Sequence, residues 1–225
     1  MNFYQTIYKK IYGDFNIWTD VNCDANKIDL QGWGGDHQIF KQINDKFDKH
    51  IFVDVGIWKG QSSINLAKNI KQNNLNAVVI SIDTFLGSVE HFDYIEGSGQ
   101  SNYANGLYKR LPGGRPNLYE IFLNNIMSLN LQDIIIPVAQ TSTTAALMLK
   151  LNQIYPTFIH IDASHEYRDV KRDINDYYEI LSTGGTLICD DYNLEWSGVV
   201  KAVNEFGFEK TIPIINSNTK VIINK

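Results

Sequence analysis

Residues 157–192 read TFIHIDASHEYRDVKRDINDYYEILSTGGTLICDDY, and this stretch decides the fold. Two short, apolar, β-prone runs stand at its ends, TFIHID (157–162) and GGTLICDD (184–191). Between them, one face of an amphipathic helix is marked by the spacing of Val170, Ile174, Tyr177 and Leu181. The pair of glycines that follows is typical of a helix end. The stretch therefore predicts strand, helix and strand in a parallel α/β arrangement.

The same alternation continues on both sides of this unit. Further strands are predicted for IFVDVG (51–56), AVVISID (77–83) and DIIIPVAQ (133–140), with a closing hairpin of FEKTIPII (208–215) and KVIINK (220–225). Further helices are predicted for QSSINLAKNIKQ (61–72), TTAALMLKL (143–151) and GVVKAVNEF (198–206). We therefore predict an α/β fold of the Rossmann-like, doubly wound type, with a mostly parallel seven-stranded sheet and a C-terminal antiparallel hairpin.

Two segments interrupt this order. Residues 1–50 are predicted to form an N-terminal helical or lid segment, and residues 51–225 the main domain. Within that domain, residues 86–116 (LGSVEHFDYIEGSGQSNYANGLYKRLPGGRP) are too long for an ordinary strand-to-helix connection. This insertion is either a solvated loop or an aromatic-rich lid over a ligand pocket. Both interpretations stay open at this point.

Composition narrows the class of partner and the compartment. The 225 residues carry a formal net charge of −5 and contain no long basic run, so nucleic acid is not expected as a partner. No apolar run is long enough for a membrane span, and the N-terminal residues lack the apolar core of a secretion signal. The two cysteines, Cys23 and Cys189, lie far apart, which favours reduced thiols. We expect a soluble, cytoplasmic protein.

Acidic residues end two of the predicted strands. Asp162 follows one strand, and Asp190 with Asp191 follows another. In open α/β sheets, ligands bind beyond the carboxyl ends of the strands, so these three carboxylates are expected to converge there. A hard divalent cation such as Mg²⁺ would relieve their repulsion. The alternative is that one aspartate caps a helix and another forms a salt bridge.

His165 lies three residues after Asp162, near the start of the next helix. An imidazole with a pKa near its ordinary value of about 6.5 accepts a proton at neutral pH. We therefore predict that His165 is a general base. The alternative is a histidine that is hydrogen-bonded only to solvent.

The turn after the first predicted strand, DVGIWKGQSS (54–63), contains Gly56 and Gly60. Glycines let the backbone approach a ligand, and the following helix start presents free N–H groups. The spacing is neither the dinucleotide fingerprint nor a P-loop, so the turn alone is a weak signal. Asp83, at the end of the second strand, is well placed for the ribose hydroxyls of an adenosine cofactor.

Together, FVDVGIWKGQSS (52–63), ISIDTFLGSVEHF (80–92), IPVAQTS (136–142) and the stretch 158–192 resemble the class I S-adenosylmethionine-dependent methyltransferases. They resemble in particular the small bacterial metal-dependent O-methyltransferases that act on sugars of secondary metabolites. The resemblance implies that Asp162 and His165 are catalytic in a D-x-x-H pattern. It implies that the metal, Mg²⁺ or another divalent cation, is held by Asp162, Asp190 and Asp191. It implies that S-adenosylmethionine is bound by Asp54, Gly56, Gly60, Ser62, Asp83, Thr84, Phe85, Gln140, Thr141 and Ser142.

Two other functions remain open from the sequence. A nucleotide-cofactor oxidoreductase would share the architecture, although the first turn lacks its fingerprint. A non-catalytic cofactor- or partner-binding module would share the fold, because fold does not determine activity. The methyl acceptor is equally open between a sugar and a catechol-like ring, with Trp33 and His37 as residues that would line its pocket. A homo-oligomer is compatible with the sequence.

Overall fold

The computed structural model describes residues 2–41, 47–88 and 111–225. The helices of these ranges are α1 (Phe3–Tyr12), α2 (Gln61–Gln72), α3 (Leu118–Ser128), α4 (Ser142–Leu151), α5 (Tyr167–Ile180) and α6 (Ser197–Lys210). The strands are β1 (His50–Val55), β2 (Ala77–Asp83), β3 (Ile135–Ala139), β4 (Phe158–Ile161), β5 (Thr186–Cys189), β6 (Ile215–Ser217) and β7 (Lys220–Asn224).

The strands form one seven-stranded sheet in the order β3-β2-β1-β4-β5-β7-β6. The first five strands in that order are parallel to one another. Strand β7 pairs antiparallel with both β5 and β6. The predicted fold class, a mostly parallel seven-stranded sheet with a C-terminal antiparallel hairpin, is confirmed.

Alternate residues of the buried strands face opposite layers of helices. Val53 of β1 belongs to a core that also includes residues of α4, α5 and α6, whereas its neighbour Phe52 belongs to a core with residues of α2 and α3. Because both faces of the central strands are covered, their sequences are apolar throughout rather than alternating. This arrangement leaves the two ends of the strands as the places where polar residues gather.

The helical face predicted in α5 is confirmed, since Val170, Ile174, Tyr177 and Leu181 are all buried. The strand predicted for residues 208–215 is wrong over most of its length. Residues 208–210 complete α6, and only residue 215 belongs to β6. The buried face of α6 runs from Val199 to Gly207, so residues 208–210 form the exposed last turn of the helix. A short apolar run of this kind does not by itself distinguish a helix from a strand.

Helix α3 was not predicted, and it follows directly on the segment assigned to an insertion. Of that segment, residues 89–110 lie outside the described residues, so both interpretations of it stand as predictions. The division of the chain at residue 50 also stays a prediction. Residues 2–41 contain α1 and then mostly irregular chain with short helical turns.

Among the helices of the described ranges, none has both the length and the apolar character that a membrane span requires. Both cysteines are free thiols, with Cys23 exposed and Cys189 buried in β5.

Candidate active site at the carboxyl edge of the sheet

The acidic residues meet because β4 and β5 are parallel neighbours in register. Ile161 is opposite Cys189, so the residues that follow these two, Asp162 and Asp190, leave the sheet side by side. The backbone N–H of Asp190 donates to the carbonyl of Ile161 at 2.9 Å, which fixes this alignment. Asp191 follows with a positive φ of 57°, a conformation that turns the chain sharply. The predicted convergence of the strand ends is thus present in the structure.

The outer part of the site consists of Asp162, His165 and Asp191, which we call the outer triad. One potential ligand atom from each of the three lies within 4.8 Å of the others. Nε2 of His165 is 2.9 Å from Oδ2 of Asp191, and the imidazole stacks on the ring of Trp196 with centroids 3.9 Å apart. Burial raises the pKa of the Asp162 carboxyl to about 6, with His160 opposing the shift and Asp191 adding to it. A half-buried carboxyl with a raised pKa is well suited to a cation, which would stabilise its ionised form.

The inner part of the site is a buried group of titratable side chains. It consists of Asp54, His160, Asp190 and Lys220. The imidazole of His160 bridges two acids, with Nδ1 at 2.8 Å from Oδ1 of Asp54 and Nε2 at 3.3 Å from Oδ2 of Asp190. The ammonium of Lys220 contacts the same Oδ2. Oδ1 of Asp190 accepts the backbone N–H of Asp191 at 2.8 Å. Both oxygens of Asp190 therefore already have partners within the chain.

Asp54 lies beneath the cleft rather than at its surface. Its carboxylate is 0% exposed and accepts hydrogen bonds from the hydroxyls of Ser62 and Ser63 at 2.7 and 2.6 Å. Burial alone would raise the pKa of Asp54, but the hydrogen bond and charge of His160 and the two hydroxyls together hold it below its ordinary value. Asp54 and Ser62 thus fasten the start of α2 to β1 and support the predicted cofactor turn from below.

The turn itself demands glycine for reasons of packing. Gly56 has a φ of +83°, and a Cβ added to it would lie 1.8 Å from the carbonyl oxygen of Asp162. Gly60 has a φ of +92°, and its added Cβ would lie 2.5 Å from the ring of Phe122. The first of these close approaches shows that the turn after β1 lies against the backbone of Asp162, a member of the outer triad. The predicted cofactor turn and the predicted catalytic residues are therefore adjacent.

Asp83 holds the ends of β1 and β2 together. Its Oδ2 accepts the backbone N–H of Trp58 at 2.9 Å, and its Oδ1 accepts that of Phe85 at 2.7 Å. Burial raises its pKa, and these N–H groups work in the opposite direction. Phe85 is itself buried, whereas Thr84 is exposed beside it. Asp83 lies at the end of β2, where the sequence predicts an acid that binds the ribose hydroxyls. The N–H groups of Trp58 and Phe85 already hold its carboxylate in place.

The residues predicted near the adenine form the turn into α4. The side chain of Thr141 caps this helix by accepting the N–H of Thr144 at 3.2 Å, and the hydroxyl of Thr144 donates to Oε1 of Gln140 at 3.0 Å. The carbonyl of Ser142 accepts the hydroxyl of Tyr177 at 2.9 Å. Gln140 and Thr141 follow the carboxyl end of β3, which pairs with β2. Both are exposed there, so a ligand can reach them.

The N-terminal segment covers this edge of the sheet. The backbone N–H of Gly35 donates to Oε1 of Gln61 at 3.2 Å, and the side-chain amide of Asn65 donates to the carbonyl of Gly35 at 2.8 Å. Trp33 is 58% exposed, and its ring centroid lies 5.9 Å from that of Trp58 in the cofactor turn. Trp33 is thus at the mouth of the cleft.

A buried asparagine fastens the same segment. The side chain of Asn125 on α3 accepts the N–H of Asp29 at 2.9 Å and donates to the carbonyls of Asp29 and Lys59 at 2.7 and 2.9 Å. Lys59 in turn forms a salt bridge with Asp29 at 2.7 Å. Asn125 therefore joins the N-terminal segment, the cofactor turn and α3.

Sequence reasoning missed His160, Lys220 and Asn125. His160 had a signal, because it is a polar residue within an otherwise apolar buried strand. Lys220 had none, since a lysine at the start of a strand is ordinarily a solvated residue. His37, which was predicted together with Trp33 to line the acceptor pocket, lies near Lys220. Burial lowers its pKa, and the charge of Lys220 lowers it further.

Comparison with known proteins gives one family. A model described as a methyltransferase domain matches residues 53–192. No curated protein matches the chain.

Three solved structures illustrate the structural similarity. The O-methyltransferase NovP is 20% identical, covers 78% of this chain and 72% of its own, and has a TM-score of 0.54. The O-methyltransferase from Bacillus cereus in complex with SAH is 14% identical, covers 88% and 83%, and has a TM-score of 0.55. CalS11, described as a calicheamicin methyltransferase, is 16% identical, covers 98% and 91%, and has a TM-score of 0.53. At these identities the structural similarity establishes the fold.

Proposed function

Because the chain belongs to the methyltransferase domain family, we propose that it is an S-adenosylmethionine-dependent O-methyltransferase that uses a divalent cation to methylate a hydroxyl of a small molecule. The observation that carries the proposal is the contact between the turn at Gly56 and the backbone of Asp162. This contact brings the family's cofactor turn against a group that has the chemistry of a cation site and a base. A hydroxyl bound at the outer triad is therefore next to the place where a methyl donor would bind.

The cofactor side fits the residues present. Asp83 is an ordered carboxylate at the end of β2, and the turn from Gly56 to Gly60 brings main chain close to it, as the N–H of Trp58 on Asp83 demonstrates. Thr84, Phe85, Gln140, Thr141 and Ser142 are proposed to border the adenosine. When bound, S-adenosylmethionine supplies a methyl group on a sulfonium. Asp54 and Ser62 act beneath the turn, by fixing α2 to β1.

The cation side fits in part. Asp162 and Asp191 provide carboxylate oxygens and His165 an imidazole within one small space, and oxygen donors are preferred by Mg²⁺. Asp190, predicted as the third carboxylate, has both oxygens engaged inside the chain. A bound cation would acidify a coordinated hydroxyl. We propose that Asp162 and Asp191 hold it.

His165 is proposed to take the proton from the acceptor hydroxyl. In the neutral imidazole one ring nitrogen donates and the other accepts. With Nε2–H donated to Asp191, the lone pair is on Nδ1, which then receives the proton. The ring of Trp196 keeps the imidazole plane in place. General-base assistance of this kind contributes about 10²–10⁴-fold in rate.

A sugar hydroxyl is the acceptor class that we propose to test first, with a catechol-like ring second. One of the structurally similar proteins, CalS11, is described as a TDP-rhamnose 3′-O-methyltransferase. Trp33, exposed at the mouth of the cleft, offers a flat apolar surface for either ring. The net charge of −5 supports a small-molecule substrate rather than nucleic acid. The free cysteines support a reducing compartment, for which we propose the cytoplasm.

The test has a binding stage and a turnover stage. Calorimetric titration with S-adenosylhomocysteine and, separately, with NADH should show binding of the first alone, and the reverse result would favour an oxidoreductase. Transfer of a labelled methyl group is then followed on panels of glycosides and catechols, with Mg²⁺ and with EDTA. His165→Gln should lower turnover by about 10²-fold or more with unchanged S-adenosylhomocysteine affinity. The matched control is His50→Gln, because His50 is the first residue of β1 and lies at the end of the strand away from the proposed site.

Binding of S-adenosylhomocysteine without turnover on any panel would favour a non-catalytic module. Full turnover in EDTA would remove the cation from the proposal while leaving methyl transfer intact.

A further inference from the structure

Lys220 is a lysine in an unusual position. It is the first residue of β7, yet its side chain is 1% exposed. Lysines are almost never buried to this extent unless they are paired. The partner is Asp190, one of the acids that the sequence assigns to a divalent cation. A positive charge that belongs to the chain therefore already lies at that acid.

The surroundings of the Lys220 ammonium are closed on several sides. The ring centroid of Phe40 is 5.5 Å from Nζ, and a Cβ added to Gly34 would be 3.5 Å from it. His160 approaches the same oxygen of Asp190 from the other side. Gly34 and Phe40 of the N-terminal segment thus lie against the ammonium and shield it from solvent.

We infer that Lys220 is the resident cation of Asp190, so that a divalent ion is held by Asp162 and Asp191 and not by all three acids. The inference rests on the cation part of the proposed function and refines it. Lys220 acts through Asp190 and is a positioning residue. Its fixed charge also repels a second cation in the neighbouring outer triad.

This assignment has a measurable consequence for metal affinity. With Lys220 in place, two of the three acids, Asp162 and Asp191, offer carboxylates to the ion, and the ammonium nearby repels it. Removal of the lysine would free Oδ2 of Asp190 from the ammonium, with His160 still 3.3 Å away, and would create a site with three carboxylates. Substitution of Lys220 by a neutral residue should therefore tighten metal binding rather than weaken it.

The experiment uses the full chain without S-adenosylmethionine and measures Mn²⁺ binding by calorimetry and by the electron paramagnetic resonance signal of free Mn²⁺. Lys220→Met should tighten the Mn²⁺ affinity about tenfold or more, because a unit charge close to a divalent ion interacts strongly with it even at an effective dielectric constant of about 20. Lys220→Arg, which keeps the charge, should stay near the wild-type affinity. Lys68→Met, on the exposed side of α2, is the matched control and should leave the affinity unchanged.

A double variant tests the mechanism. Lys220→Met with Asp190→Asn should return the affinity to about the wild-type level, because the newly freed oxygen is removed again. Circular dichroism and thermal unfolding check that each variant folds. If Lys220→Met does not fold, Lys220→Gln takes its place with a smaller expected tightening, because it removes the charge but can still donate to Asp190.

Unchanged or weaker Mn²⁺ binding in a folded Lys220→Met or Lys220→Gln variant would overturn the inference. Equal tightening in the single and double variants would overturn the role of Asp190. Absence of Mn²⁺ binding in every variant would overturn the inference together with the proposed cation. That last result is separable from failure of the methyltransferase proposal, which is tested independently by S-adenosylhomocysteine binding and by transfer of a labelled methyl group.

Discussion

Replacement of Asp173 by asparagine should stabilise the protein at neutral and alkaline pH. Asp173 is on the inner face of α5 and is 2% exposed. Burial raises its pKa to about 6 from an ordinary value of 3.8, although a hydrogen bond with Ser142 acts in the opposite direction. The residue ties α5 to the start of α4, where the proposed adenosine-binding turn lies. Its ionisation therefore works against the packing that positions this turn.

The sign and size of the effect follow from linkage. Because the folded pKa is above the unfolded one, the native state favours the protonated carboxyl. The stabilising contribution is complete below the unfolded pKa and is lost as the pH rises through about 6. A shift of about two units corresponds to about 3 kcal/mol at pH 8, as an upper limit. About half of that loss has already occurred at pH 5, so the remaining pH-dependent part is about 1.5 kcal/mol.

Asparagine resembles the protonated carboxyl in shape and does not titrate. The free energy of unfolding, measured with urea at a series of pH values from 5 to 8, should therefore rise in Asp173→Asn relative to wild type. The difference should grow by about 1.5 kcal/mol across this range and level off above pH 7. Asp20→Asn, at an exposed position, is the control and should show no such growth. A difference that is constant from pH 5 to 8 would refute the reasoning.

Three further substitutions test the architecture around the site. Gly56→Ala should lower the unfolding free energy by more than about 2 kcal/mol, because the added Cβ would lie 1.8 Å from the carbonyl oxygen of Asp162. The control Gly113→Ala, whose added Cβ has no atom within 4 Å, should lower it by about 1 kcal/mol or less in the same chemical-denaturation assay. Asn125→Ala should lower the unfolding free energy by about 1–3 kcal/mol and make the N-terminal segment more sensitive to protease, because three backbone groups lose their partner. Equal cleavage rates in the variant and the wild type would contradict this. Trp196→Ala should lower kcat about tenfold and leave the S-adenosylhomocysteine affinity unchanged, because His165, the proposed base, loses its stacking partner. An effect on cofactor affinity alone would argue against the role of Trp196 in holding His165.

The convergence of Asp162, Asp190 and Asp191 was predictable because it needs only two facts. Each acid follows a buried strand, and parallel neighbouring strands end at the same edge of a sheet. The same reasoning placed Asp83 and Gln140 at that edge. Fold class and edge thus follow from local patterns, because hydrophobic periodicity is a property of short segments.

The partners of these acids were not predictable in the same way. The side chain that meets Asp190 comes from β7, at position 220, and its placement depends on the register of the antiparallel pair β5–β7. No pattern within residues 184–191 contains that register. His160 is in a strand buried on both faces, where no alternation of polar and apolar residues marks the direction of a side chain. The length of α6 was missed because helix and strand are hard to distinguish in short apolar runs.

The predicted boundary at residue 50 separates two segments that share one site. Gly34 of the N-terminal segment lies against the Lys220 ammonium, and Asn125 fastens the same segment to the proposed cofactor turn. The pairing of Lys220 with Asp190 is strong only while water is kept out, since a salt bridge exposed to solvent contributes about 0–1 kcal/mol. The segment before β1 therefore sets the electrostatics of acids more than a hundred residues later, and the character of the proposed cation site depends on how firmly that segment is held.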